Sequence, residues 1–177
     1  MKTETKNGTA TNGNGKSLMP TRNDMPVKVR TQMIQLLNAQ LADTFDLMSM
    51  AKQAHWNVRG PHFIGLHKLF DEVFEAVEGH VDLIAERCTA LGGVAHGTVR
   101  MAAKSTRLEE YPGDIHAGQE HVEALADRIA AVARSTREAI DKADEAGDMG
   151  TSDMFTDVVR SLDQYLWFVE AHLRPER

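Results

Sequence analysis

A single cysteine, Cys88, stands among 177 residues, which excludes an internal disulfide and suits a reducing cytosol. It falls on the apolar stripe of a helical segment, so it reads as a small buried hydrophobe rather than a reactive thiol. No uninterrupted apolar run is long enough to span a bilayer. The N-terminus is polar and lacks the apolar segment of a secretory signal, so the expectation is a cytoplasmic protein with no membrane partner. No stretch shows sustained period-two alternation, which leaves an all-α fold. A strong basic excess is missing as well: the formal charge of −6 does not suggest a nucleic-acid binder over its whole surface.

That charge is unevenly spread. Residues 1–24 hold Lys2, Lys6, Lys16 and Arg22 against Glu4 and Asp24, a net of +2, which leaves −8 for the remainder. They are rich in Gly, Asn, Thr and Lys with almost no large apolar side chains, and they read as a flexible, disordered basic tail. The bundle domain is expected over residues 25–177. From Pro26 onward Ile34, Leu37, Leu41, Phe45, Met48 and Ala51 recur at helical intervals, and His55 continues the stripe. A second helix is predicted from about residue 62 to Leu91, where Gly92-Gly93 ends it. Residues 92–112 form a long connection with a short helix expected around Thr106–Glu110. A third helix is predicted over about 113–144. A fourth carries Met154, Val158, Leu162, Leu166, Val169 and Leu173, with Thr151 or Ser152 as its cap and Pro175 as its end. Short, long and short connections between four amphipathic helices describe a ferritin-like four-helix bundle with one long crossover.

Within Lys52 to Glu86 five residues stand out, all of metal-ligand type: His55, His67, Asp71, Asp82 and Glu86. Gly60-Pro61 is a helix stop followed by a helix start, so two antiparallel helices meet there. His55 lies five residues before Gly60 and His67 six after Pro61, which puts both at roughly 8–9 Å from the turn. Asp71 and Asp82 share one helix, and their backbones are about 16 Å apart. Ligand bonds of about 2 Å do not bridge that gap within one chain. Either the five residues form two half-sites, or two chains pair antiparallel and complete a site from His55, His67 and Asp71 of one and Asp82 and Glu86 of the other, giving two sites per dimer. Imidazole with several carboxylates suits Fe(II), Mn(II) or Zn(II), and the lack of cysteine ligands disfavours a closed structural zinc site. The Glu-x-x-His motifs of ordinary di-iron bundles are absent, which argues against a conventional centre inside one chain. Against this stands the plain reading of each residue as a solvated charge or a satisfied core histidine.

The stretch Lys52-Gln53-Ala54-His55-Trp56-Asn57-Val58-Arg59-Gly60, followed by Phe63, Leu66-His67, Phe70-Asp71, Asp82 and Ala85-Glu86-Arg87, resembles the signature of Dps, the ferritin-like DNA-binding proteins of starved cells. The likeness continues through Leu91-Gly92-Gly93, Tyr111-Pro112, Asp114-Ile115-His116 and Leu166-Trp167-Phe168, covering nearly the whole chain from Thr21. It implies that His55, His67, Asp71, Asp82 and Glu86 form a ferroxidase centre at a two-fold interface, binding two iron ions per inter-subunit site. It also implies a hollow homododecamer that oxidises Fe(II), preferably with hydrogen peroxide, and stores ferric mineral. Trp56, beside His55, is expected either to donate electrons to stray oxidants or to pack at an interface. Asp153 and Asp157 resemble residues lining a pore that admits ions at a three-fold axis; complementing a helix dipole is their alternative. Lys2, Lys6, Lys16 and Arg22 are candidates for sequence-indifferent contacts to DNA phosphates, with nucleoid association to match. The alternative role is a nucleoid-compacting DNA-binding protein whose iron site is subsidiary.

Overall fold

Helix punctuation in the sequence sets the order of elements. The computed structural model describes residues 18–173. These form α1 (Val27–Asn57), α2 (Phe63–Ala90), α3 (Val99–Ser105), α4 (Gly118–Glu145), α5 (Met149–Glu170) and a 3-10 turn, Ala171–Leu173. Among them no strand forms, and no helix is long and apolar enough to cross a membrane. Gly60 takes φ +117°, a conformation that side chains with a β-carbon resist. There the chain reverses, and the amide of Phe63 donates to the Gly60 carbonyl at 3.1 Å as α2 begins. Gly118, opening α4, sits close enough to Leu66 near the start of α2 that an added β-carbon would meet Leu66 at 2.7 Å. The two helices therefore start at the same end and run parallel, and the long connection crosses the bundle. Arg59 and its neighbours hold that end together: the Arg59 amide donates to the His116 carbonyl at 2.9 Å, and Gly118 donates back to the Arg59 carbonyl at 3.1 Å.

Two apolar clusters fill the interior. At the hairpin end Leu47, Ala54, Leu66, Phe70 and Val77 meet Leu125, Ile129, Val158 and Leu162. At the other end Met33, Leu37, Leu41, Ile84 and Cys88 meet Ala139, Ala143 and Phe155. Buried polar groups lie toward the middle of α1. Gln40 donates to the Ser135 carbonyl at 3.0 Å and accepts from Ser135 and Thr136, which satisfies a buried amide. Asp43, only 1% exposed, accepts from the Arg107 amide at 2.8 Å and from its guanidinium at 2.9 and 2.6 Å. That side chain fastens the crossover to α1.

Several boundaries differ from the sequence reading. The short helix of the crossover lies at Val99–Ser105, not at Thr106–Glu110. Thr98 caps it, accepting from the Met101 amide, and the bonds of Arg107 to Asp43 and of Leu108 to Thr106 hold the following stretch out of helical form. The third long helix starts at Gly118 rather than 113, because Glu120 accepts the His116 and Ala117 amides at 3.2 and 2.9 Å. The disorder expected over residues 1–24 does not extend to 18–24. Leu18 packs on the second apolar cluster, and the Met19 amide donates to the Gly92 carbonyl at 2.8 Å. Gly92 is required there twice over: its φ is +85°, and a β-carbon would stand 2.7 Å from the Met19 carbonyl oxygen. Lys2, Lys6 and Lys16 lie outside the described residues, as does Pro175; Arg22 is exposed on the docked segment.

The cap of α5 is Asp148, not Thr151 or Ser152. Its buried carboxylate accepts from the Thr151 amide at 3.0 Å and the Thr151 hydroxyl, and also from the Arg87 guanidinium at 2.6 Å. Asp148→Ala should lower stability by about 2 kcal/mol, the order expected for losing a cap together with a charge-assisted bond. Asp148→Ser, which still caps, should recover part of that loss. Midpoints of denaturant unfolding for the three proteins check this.

Candidate metal half-site

The hairpin brings His55 of α1 and His67 of α2 face to face. Their rings stack with centroids 3.7 Å apart and planes 22° from parallel. Each ring is fixed by the other residue's backbone: His55 Nδ1–H donates to the His67 carbonyl at 2.7 Å, and His67 Nδ1–H donates to the His55 carbonyl at 2.8 Å. A carbonyl only accepts, so both Nδ1 atoms carry hydrogen, and Nε2 is the nitrogen of each ring left to offer a lone pair when the imidazole is neutral. This is the arrangement by which a backbone acceptor orients an imidazole toward a metal.

One turn beyond His67, Asp71 places a carboxylate oxygen 3.8 Å from His55 Nδ1. Lys52, three residues before His55 on α1, donates to the same oxygen. Its ammonium also lies 4.5 Å from the centre of the Phe74 ring, within cation–π range. The hydrogen bond from Lys52 holds the Asp71 carboxyl below the usual carboxylate range, partly opposed by burial and helped by the charges of His55, Lys52 and His67. Asp71 is thereby kept as an anion that already faces a cation. Sequence reasoning gave Lys52 no role, although its i,i+3 spacing from His55 on one helix face was a usable sign.

Asp82 and Glu86 lie farther along α2, both exposed. Nothing local gathers them to the first three. Among the described residues no group of three His, Cys, Asp or Glu side chains converges closely enough to hold a metal ion. One chain thus presents an oriented imidazole pair with one carboxylate, and separately two exposed carboxylates on the same helix.

Trp56 is 67% exposed and lines a cavity of about 720 Å³ between α1 and the crossover, together with Gln53, Leu108 and Tyr111. Asp153 and Asp157 are exposed on α5, with Asp157 paired to Arg160. Arg87 turns away from the carboxylates of α2 to anchor Asp148. His121 is buried at 1% exposure. It lies one turn into α4 beneath the crossover, where the Tyr111 hydroxyl bonds its Nδ1 at 2.8 Å.

Comparison with known proteins agrees with both fold and motif. The ferritin-like domain family, Ferritin, matches residues 34–177. The chain is 45% identical over 154 residues to the DNA protection during starvation protein of Agrobacterium fabrum, covering 87% of this chain and 95% of that one. Among solved structures, a tetragonal form of Mycobacterium smegmatis Dps superposes with a TM-score of 0.84 at 33% identity, covering 88% of this chain and 95% of that one. Dps from Microbacterium arborescens in its high iron form gives 0.78 at 31% identity, covering 89% and 99%. With a four-helix bundle crossed once, a histidine pair locked across its first hairpin, and likeness running over most of each of these proteins, the chain belongs to the Dps family of ferritin-like proteins.

Proposed function

We propose that this protein is a ferroxidase and iron-storage cage: two-fold dimers, assembled into a dodecamer, oxidise Fe(II) with hydrogen peroxide in preference to oxygen and hold the ferric product, shielding DNA from oxidative damage. The observation that carries the reading is the reciprocal bonding of His55 and His67, which commits Nδ1 of each ring to a backbone carbonyl and leaves Nε2 for a metal, with an Asp71 carboxylate oxygen 3.8 Å from His55 Nδ1. In an antiparallel pair of α2 helices, Asp82 and Glu86 of a second copy complete the set, and each dimer gains two sites for two iron ions each. The high iron form of the Microbacterium arborescens relative supports iron as the metal.

The chemistry follows from the donors. Carboxylates are hard ligands and favour Fe(III) over Fe(II), which pulls the oxidation forward. Two Fe(II) held together give both electrons that peroxide needs to become two molecules of water once two protons are added. A single Fe(II) would instead release hydroxyl radical. The imidazole pair arrives with its lone pairs already aimed, so little reorganisation precedes binding. Iron displaces or joins the Lys52 ammonium on Asp71, a site kept anionic before the metal comes. Asp153 and Asp157 remain candidates for a pore that admits Fe(II), and Trp56 for an electron donor.

Replacing both imidazoles, His55→Ala with His67→Ala, should abolish peroxide-driven Fe(II) oxidation while leaving the helix content unchanged. Stopped-flow absorbance of the ferric product checks this, and normal oxidation in the double variant would overturn the assignment. Subunit origin is tested by mixing His67→Ala chains with Asp82→Asn/Glu86→Gln chains. Each parent should be inactive, and a mixed dimer should regain one of its two sites. If mixing restores nothing, the ligands come from one chain.

DNA binding through the tail is the second half of the proposal. Lys2, Lys6 and Lys16 against Glu4 give residues 1–17 a net charge of +2, too little for strong binding by one tail but additive across a cage through avidity. The acidic body repels the duplex, and sparse lysines make compaction the lesser role. Since Leu18 packs on the body and the Met19 amide bonds Gly92, the informative truncation begins at Leu18. That protein should oxidise iron normally and lose retardation of duplex DNA in a low-salt gel, whereas the full chain retards DNA and loses this steeply with added salt. Equal retardation by both would place DNA binding elsewhere.

A further inference from the structure

Tyr111 and His121 form an interior phenol–imidazole pair that none of the roles above uses. The Tyr111 hydroxyl lies 2.8 Å from His121 Nδ1, and the two rings are nearly parallel at 17° with centroids 6.0 Å apart. His121 is 1% exposed and its far face meets Phe70 at 6.5 Å. Its second nitrogen, Nε2, is buried without a hydrogen-bond partner. Among the described residues the carboxylate that acts on the ring is that of Glu120, one residue away; the backbone carbonyls of Ile115 and Asn57 also favour its protonated form, and the charge of His116 opposes it. Tyr111 also lines the cavity of about 720 Å³ that Trp56 lines from α1. With Nδ1 accepting from the phenol, the neutral ring carries its hydrogen on Nε2, so Nδ1 is the basic nitrogen that faces Tyr111.

We propose that Tyr111 and His121 act as a proton-coupled one-electron donor that removes oxidising equivalents reaching this cavity. The step balances as follows. Tyr111 loses one electron and its phenolic proton moves along the existing hydrogen bond to His121 Nδ1, leaving a neutral tyrosyl radical and an imidazolium. The electron goes to a one-electron oxidant, either hydroxyl radical, which becomes hydroxide, or an oxidised Trp56 side chain, which returns to its resting form. A later electron from Fe(II) restores the phenol as the proton returns from His121. Two features favour the step. Burial holds the Tyr111 phenol above its ordinary range despite Arg128 nearby, so the proton is still present to be transferred. Burial likewise holds the His121 imidazole below its ordinary range, so the ring is neutral and able to accept. Passing the proton to a waiting base avoids the phenol radical cation, which lowers the oxidising strength required.

The inference rests on the proposed peroxide chemistry only for its source of oxidant, so the test uses two sources. The chain has two tyrosines, Tyr111 and Tyr165, and Tyr165 is the internal control. Full-length protein, Tyr111→Phe and Tyr165→Phe are freeze-quenched for electron paramagnetic resonance after Fe(II) with peroxide. In a second arm, iron-free samples are oxidised by a light flash with a ruthenium trisbipyridyl sensitiser and persulfate. Expected is a neutral tyrosyl signal in the wild type and in Tyr165→Phe, lost in Tyr111→Phe, in both arms. Its formation should slow in deuterium oxide, a readout that a merely structural hydrogen bond would not move and that needs no His121 variant able to fold. A flash-generated signal that survives Tyr111→Phe, vanishes with Tyr165→Phe, or forms at the same rate in deuterium oxide overturns the proposal. Loss in Tyr111→Phe by flash, with no wild-type signal from iron and peroxide, upholds the pair and rejects the peroxide reaction as its source.

Discussion

Two histidines exchanging hydrogen bonds with each other's backbone set the terms for the rest of the site. The exchange needs α1 and α2 to meet at matched height, which the Gly60 turn provides. It also needs a backbone carbonyl opposite each ring, and a helix interior offers none that is free of its own i→i+4 bond except near a terminus. His55 lies in the last turn of α1 and His67 in the first turns of α2. Carbonyls close to the end of α1 lack helical partners, while that of His67 accepts a second bond through its other lone pair. Position near the hairpin therefore decides the tautomer, and the tautomer decides that Nε2 is the atom offered to a metal.

What was legible in the sequence is what a fixed rise per residue can carry. The antiparallel hairpin, the height of His55 against His67, and the distance from Asp71 to Asp82 all follow from counting along helices. The crossover was legible as a length. Its contents were not, because Asp43 and Arg107 are far apart in sequence and only the packed chain shows them bonded. The burial of His121 was hidden for the same reason: the crossover that covers it has no periodic pattern to place it. The cap of α5 was assigned a few residues late, since Asp148, Thr151 and Ser152 are all good capping residues. The choice fell to Asp148 through Arg87, a long-range partner. The expected disorder of residues 18–24 failed because a backbone bond to Gly92 needs no apolar side chain to announce it.

The half-site shows how a single helix can be spent on two sites. α2 carries His67 and Asp71 near one end and Asp82 and Glu86 toward the other, on a common face. One chain's acidic pair is useless to its own histidines and, on the proposed pairing, correctly placed for a partner's. On that pairing a lone subunit lacks a complete site, and each α2 contributes to two.

The bond between Met19 and Gly92 converts sequence length into a radius. Seventeen residues precede the docked segment, and covalent geometry limits them to about 60 Å when fully drawn out. Whatever those residues touch must come within that distance of the Gly92 turn. Residues added before Leu18 enlarge the radius, whereas one β-carbon at Gly92 strikes the Met19 carbonyl that fixes its centre. A single glycine in the turn after α2 thus holds the point from which that reach is measured.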